Sequence, residues 1–194
     1  MDLFSEGNTV YVIDTSGLIM LESTFKKDNP VFAAIWEEIE DLIKQGCFKT
    51  IDFVEQEIND YEGKEDFLKK WVKKWKKHLV VDTDAASFNE AIPIINAEYN
   101  TGFLNARKQA EGKEEADPYL IGYCKVHNYT LIASESKIKN NKIPAVSERN
   151  GVRCIDINDF LIERGLRMER KNKKCLNYAI PSQPHTLPSR SSQR

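Results

Sequence analysis

Four carboxylates in this chain fall where an alternating strand and helix fold would gather them. Asp14 ends the apolar run 10–13 and precedes Thr15, Ser16 and Gly17, and Glu57 lies in a helical segment. Asp117 stands before Pro118 at the start of another helical segment, and Glu135 follows the apolar run 130–133. Carboxylates brought close together repel, so such a group is stable only when shared protons or a cation neutralise it. Oxygen ligands with no nearby His or Cys select a hard ion, Mg2+ or Mn2+. An ion of that kind activates water and stabilises charge developing on a phosphodiester, the two demands of hydrolysing that bond.

Each acid also has a local role available to it. Asp14 before Thr-Ser-Gly suits a turn cap, and Asp117 before Pro118 suits a helix N-cap. Glu135 lies in a polar stretch rich in Ser and Lys, where an exposed Glu is ordinary. Glu57 has no such role if Asp52 and Glu55 form a capping box at the start of its helix. One shared cation would account for all four positions at once.

The elements that must position these groups are legible in the periodicity. Apolar β-type runs recur at 10–13, 79–81, 130–133 and 152–155, separated by helical segments. Alternation of this kind implies parallel strand pairing in a three-layer α/β/α sandwich. Pro30 opens a helical pattern carried by Val31, Ile35, Ile39, Leu42 and Ile43 that stops at Gln45 and Gly46. Further helices are expected from Asp52, over 65–77, after Asp84 with a break or bend at Pro93, from Asp117, and over 157–164. Residues 102–115 are polar and read as an exposed helix or a loop. Leu120, Ile121 and Cys124 form the buried face of the Asp117 helix, and Asp156 suits a structural role at the start of the last one.

A chain of 194 residues, 41% of them hydrophobic, sustains one core. The expectation is one domain over 1–170 and a disordered tail over 171–194, where Pro181, Pro184 and Pro188 stand among Ser, Gln and Arg. The formal charge of −2 with 30% charged residues places sign in patches, so net charge neither favours nor opposes nucleic acid. Cys47, Cys124, Cys154 and Cys175 are widely spaced with no CxxC pair, which argues against a zinc knuckle and a secreted disulfide framework. The sequence has no apolar run of membrane-spanning length and no signal-peptide pattern, so a cytoplasmic protein with no membrane association is expected.

The run from Tyr11 through Asp14, Thr15 and Ser16 to Leu18 and Ile19 resembles the opening motif of PIN-domain nucleases. The helix with Val54 and Glu57, the segment from Ala116 and Asp117 to Ile121, and the segment from Leu131 to Glu135 are similar to the later motifs, in the same order. The resemblance covers about residues 9–165 and looks closest to a bacterial subfamily of unknown function, which also shares the Lys142-Ile143-Pro144 pattern and the 151–155 pattern. It implies strand order 3-2-1-4-5 and an endoribonuclease dependent on Mg2+ or Mn2+, the toxin of a toxin–antitoxin pair. It implies an RNA substrate, an antitoxin protein as partner, and a homodimer. Asp14, Glu57, Asp117 and Glu135 would be the metal-binding and catalytic acids, holding two cations. Ser16 would support Asp14 or a bound water through its hydroxyl. The fourth motif departs from the usual Thr-x-Asp, with Ala133 and Glu135 in those places.

Within 67–77 the residues Phe67, Leu68, Trp71, Val72 and Trp75 share one helical face. Lys69, Lys70, Lys73 and Lys74 fall on the other, either as a solvated face, as a phosphate-contacting row for RNA, or as a membrane-surface helix. Arg107, Lys108 and Lys113 precede Asp117 and suit either substrate binding or a polar loop. Two other functions fit a strand ending in Asp. An aspartyl-phosphate phosphatase would need a second Asp where Ser16 stands, and a PIN-like scaffold that has lost turnover would bind RNA or protein without a tight metal site.

Overall fold

The computed structural model describes residues 9–60, 66–112 and 114–166. Along the chain come β1 (Tyr11–Ile13), α1 (Thr15–Thr24), a 3-10 turn (Pro30–Phe32), α2 (Ala33–Lys44), β2 (Phe48–Ile51) and α3 (Asp52–Asp60). They are followed by α4 (Asp66–Leu79), β3 (Val80–Val81), α5 (Ala85–Glu98), α6 (Ala106–Ala110) and α7 (Ala116–His127). The last elements are β4 (Thr130–Ile132), α8 (Ile143–Arg149), β5 (Cys154–Ile155) and α9 (Ile157–Glu163).

The strands form one parallel sheet in the order β3-β2-β1-β4-β5. This is the α/β class and the strand order expected from the sequence. Tyr11, Val12 and Ile13 of the central strand are all buried, as a parallel strand covered by helices on both faces requires. Register places Ile13 beside Ile132, so β1 and β4 end together and the residues after them, Asp14 and 133–135, open onto the same edge.

β2 was not among the expected strands. Its sequence Phe-Lys-Thr-Ile carries a polar Thr50 that is fully buried, and its hydroxyl donates to the Ile13 carbonyl across 2.7 Å. A buried hydroxyl with that partner costs little, but nothing local announces the partner. α8 was also unexpected. α4 continues through Leu79, which leaves β3 two residues long. Val31, expected on the buried face of the Pro30 helix, is 64% exposed, because that segment is a 3-10 turn outside α2. α5 passes through Pro93 as one helix with Asp84 as its N-cap.

Two close approaches depend on glycine. A Cβ on Gly122 of α7 would meet the Ser87 carbonyl oxygen of α5 at 2.6 Å, and α5 and α7 pack along their length. A Cβ on Gly17 would stand 2.8 Å from Asp14 Oδ1, so glycine leaves room for the Asp14 carboxylate over the first turn of α1. Trp36 and Trp71 pack edge to face between α2 and α4. The Glu40 carboxylate accepts both the Trp71 and Trp75 indole N–H groups and pairs with Lys27. Among the described residues no helix is long and apolar enough to cross a membrane. The expected tail over 171–194 lies outside the described residues.

Candidate functional site

Asp14 is the N-cap of α1 and is 2% exposed, accepting from the Gly17 amide at 2.5 Å and the Ser16 hydroxyl at 2.6 Å. Capping and a place at the sheet edge therefore coincide in one residue. Burial pushes its carboxyl up to about 7, against the lowering effect of the Ser16 and Gly17 hydrogen bonds, and the charge of Glu135 adds to the rise. The Ser16 hydroxyl also accepts from the Ser134 amide at 3.1 Å, which ties the loop after β4 to the start of α1.

Glu57, near the middle of α3, accepts from the Thr15 hydroxyl at 2.5 Å, from Lys108 Nζ at 3.0 Å and from the Ala116 amide at 3.4 Å. The last contact places Glu57 at the first residue of α7, next to Asp117. The capping box assigned to this helix does not form. Asp52 turns across to Thr83, accepting its hydroxyl at 2.6 Å, and Glu55 pairs with Lys76.

Asp117 is not an N-cap. α7 begins at Ala116 with Glu115 before it, so Asp117 is the second helical residue. The capping explanation for its type is thereby removed. Burial first, then the charges of Asp14, Glu57 and Glu135, hold its carboxyl well above the usual carboxylate range. Among the described residues no donor is hydrogen-bonded to it.

Glu135 accepts from Lys142 Nζ at 2.6 Å and from the Ile143 amide, the first of α8, at 3.0 Å. It is thus anchored across its own loop and is not the freely exposed residue a Ser- and Lys-rich stretch suggests. Asp156 caps α9 through the Asp159 amide and pairs with Lys137, the structural role expected of it.

The sheet therefore brings Asp14, Glu57, Asp117 and Glu135 to one edge, each within electrostatic reach of Asp117. They do not converge as they stand: among the described residues no three Asp, Glu, His or Cys side chains are close enough to hold a metal ion. In donor chemistry and charge the group nonetheless fits a hard divalent cation. It offers carboxylate oxygens only, and burial and neighbouring carboxylates make charge on Asp117 costly until a cation shares it. Glu57 and Glu135 are each paired with a lysine.

Three contributors were not recognised as such in the sequence. Thr15 positions Glu57, Lys108 neutralises it, and Lys142 neutralises Glu135. Lys108 had been read only as a substrate-binding or loop residue. Arg107 is exposed and paired with Glu111, and Lys113 lies outside the described residues. On α4, Leu68, Trp71 and Val72 are buried, while Lys70, Lys73 and Lys74 are exposed; Lys69 is half-buried and donates to the Asn59 carbonyl.

No curated protein matches the chain. It is similar to the solved structure of VapBC2 from Rickettsia felis bound to a DNA fragment from their promoter, at 13% identity and TM-score 0.48, covering 76% of this chain and 98% of that one. It is similar to PAE2754 from Pyrobaculum aerophilum at 13% identity and TM-score 0.48, covering 83% and 98%. It is also similar to FitAcB from Neisseria gonorrhoeae at 12% identity and TM-score 0.41, covering 75% and 96%. Residues 11–168 match the family described as Domain of unknown function (DUF4411), and the chain belongs to that family.

Proposed function

We propose that this protein is a PIN-type endoribonuclease that hydrolyses RNA phosphodiester bonds with Mg2+ or Mn2+ held at Asp14, Glu57, Asp117 and Glu135. The observation that carries the reading is Asp117, a carboxylate with no hydrogen-bond donor among the described residues and with burial, then the charges of Asp14, Glu57, Glu135 and Glu115, raising its pKa. A divalent cation is the group such a site lacks.

A divalent ion bound there would supply Lewis-acid activation of water and stabilisation of charge on the phosphodiester. Ser16 and the Gly17 amide orient Asp14, and Thr15 orients Glu57. Glu135 is held by Lys142 and the start of α8. The exposed lysines of α4 contribute a sequence-independent, salt-sensitive attraction for the RNA backbone. The toxin role, the antitoxin partner and the homodimer rest on the resemblance to PIN-domain ribonucleases.

The test is cleavage of single-stranded RNA by purified protein in Mn2+, with EDTA and Asp117→Asn as controls. Cutting that both abolish supports the reading, and RNA left intact by the unaltered protein contradicts it. A second reading, a PIN-like scaffold without turnover, is favoured by the ion pairs that occupy Glu57 and Glu135. It predicts RNA or protein binding without cleavage and without a tight Mn2+ site.

A further inference from the structure

Two of the four acids differ from the other two in a way the metal reading does not use. Glu57 and Glu135 each carry an ammonium on one oxygen, Lys108 Nζ at 3.0 Å and Lys142 Nζ at 2.6 Å. Among the described residues Asp14 and Asp117 carry none. The lysines come from separate elements, α6 and the loop before α8. Both ammoniums also feel the charge of Asp117.

The four carboxylates set against the two ammoniums leave a formal charge of minus two, which one divalent cation balances. Mg2+ is commonly held by one or two carboxylates, with waters and substrate phosphate completing its shell. Asp14 and Asp117 alone meet that requirement.

We propose that Lys108 and Lys142 stand in for a second divalent cation, remaining on Glu57 and Glu135 and leaving Asp14 and Asp117 to hold a single ion. This rests on the metal reading above and narrows it to one ion. The lysines are positioning residues. They fix the two glutamates and place positive charge beside the site. A compact ammonium with several rotatable donors suits that task.

Isothermal titration with Mn2+ alone on the full chain, with bound metal counted by elemental analysis, tests the proposal. The unaltered protein and Lys108→Arg, which keeps the charge, take up one ion. The Lys108→Met, Lys142→Met double variant takes up a second, because Glu57 and Glu135 lose their partners. Each single Met variant binds the first ion about two- to fivefold more tightly, the range of a partly exposed ion pair. A structural ion pair would instead lower the unfolding temperature equally with and without Mn2+ and leave the stoichiometry unchanged. Two ions in the unaltered protein, or one ion at unchanged affinity in the double variant, would overturn the proposal while the metal reading stands. No uptake by either protein overturns both.

Discussion

The Ser16 hydroxyl donates to Asp14 Oδ2 across 2.6 Å while accepting from the Ser134 amide at 3.1 Å. One side chain thus orients a buried carboxylate and holds the loop that carries Glu135. Ser16→Ala is expected to weaken Mn2+ binding by about tenfold or more, the usual effect of losing a group that orients a ligand. Titration calorimetry checks this. Affinity equal to the unaltered protein would show that the hydroxyl has no part in orienting the metal ligand.

The raised Asp14 carboxyl sets a pH dependence in the metal-free protein. Its folded value, about 7, lies above the ordinary 3.8 chiefly because of burial, so between those values the folded state keeps a proton the unfolded state has released. Stability therefore falls as pH rises from about 4 to 7. Thermal unfolding in EDTA should show this fall, and Asp14→Asn should flatten it. A profile that Asp14→Asn leaves unchanged would contradict the assignment.

Glu40 titrates in the opposite sense. Burial raises its carboxyl, but hydrogen bonds from Lys27, Trp71 and Trp75 outweigh that and hold it below the usual 4.5. Glu40→Ala leaves two indole N–H groups without their acceptor, at a cost of about 2 kcal/mol near neutral pH. The carboxylate's contribution is present above about 4.5 and is lost as pH falls through the lowered folded value, so the difference in urea stability should shrink in acid.

Gly122→Ala should destabilise the protein by roughly 1–3 kcal/mol, because the added methyl meets the Ser87 carbonyl at 2.6 Å and the Ala91 nitrogen at 3.1 Å, both backbone atoms. Urea unfolding measures it. A neutral result would mean that α5 and α7 separate at little cost.

Reversing Lys73 and Lys74 to Glu should weaken RNA binding at low salt and reduce the slope of log affinity against log salt, with little change in unfolding temperature, since both side chains are exposed. An unchanged slope would remove α4 from the RNA-binding surface.

Asp14 was readable because an apolar strand ending in Asp marks a sheet edge from a short window of sequence. Leu120, Ile121 and Cys124 were readable for the same reason, since helical spacing alone places them in the core. What escaped detection depends on distant partners. Thr15 meets Glu57 across 42 positions, and Lys108 meets Glu57 across 51. β2 hid behind Thr50, whose burial makes sense only once the Ile13 carbonyl, 37 positions away, is in place. Asp117 misled locally, because Asp before Pro imitates an N-cap while the chain starts its helix at Ala116, two residues before Pro118.

The central claim is that the four carboxylates at this sheet edge form a divalent cation site, and Mn2+ titration of the unaltered protein beside Asp117→Asn tests it most directly. The account predicts saturable uptake by the unaltered protein and its loss in a folded Asp117→Asn. No uptake by the unaltered protein, or equal uptake by both, would contradict it.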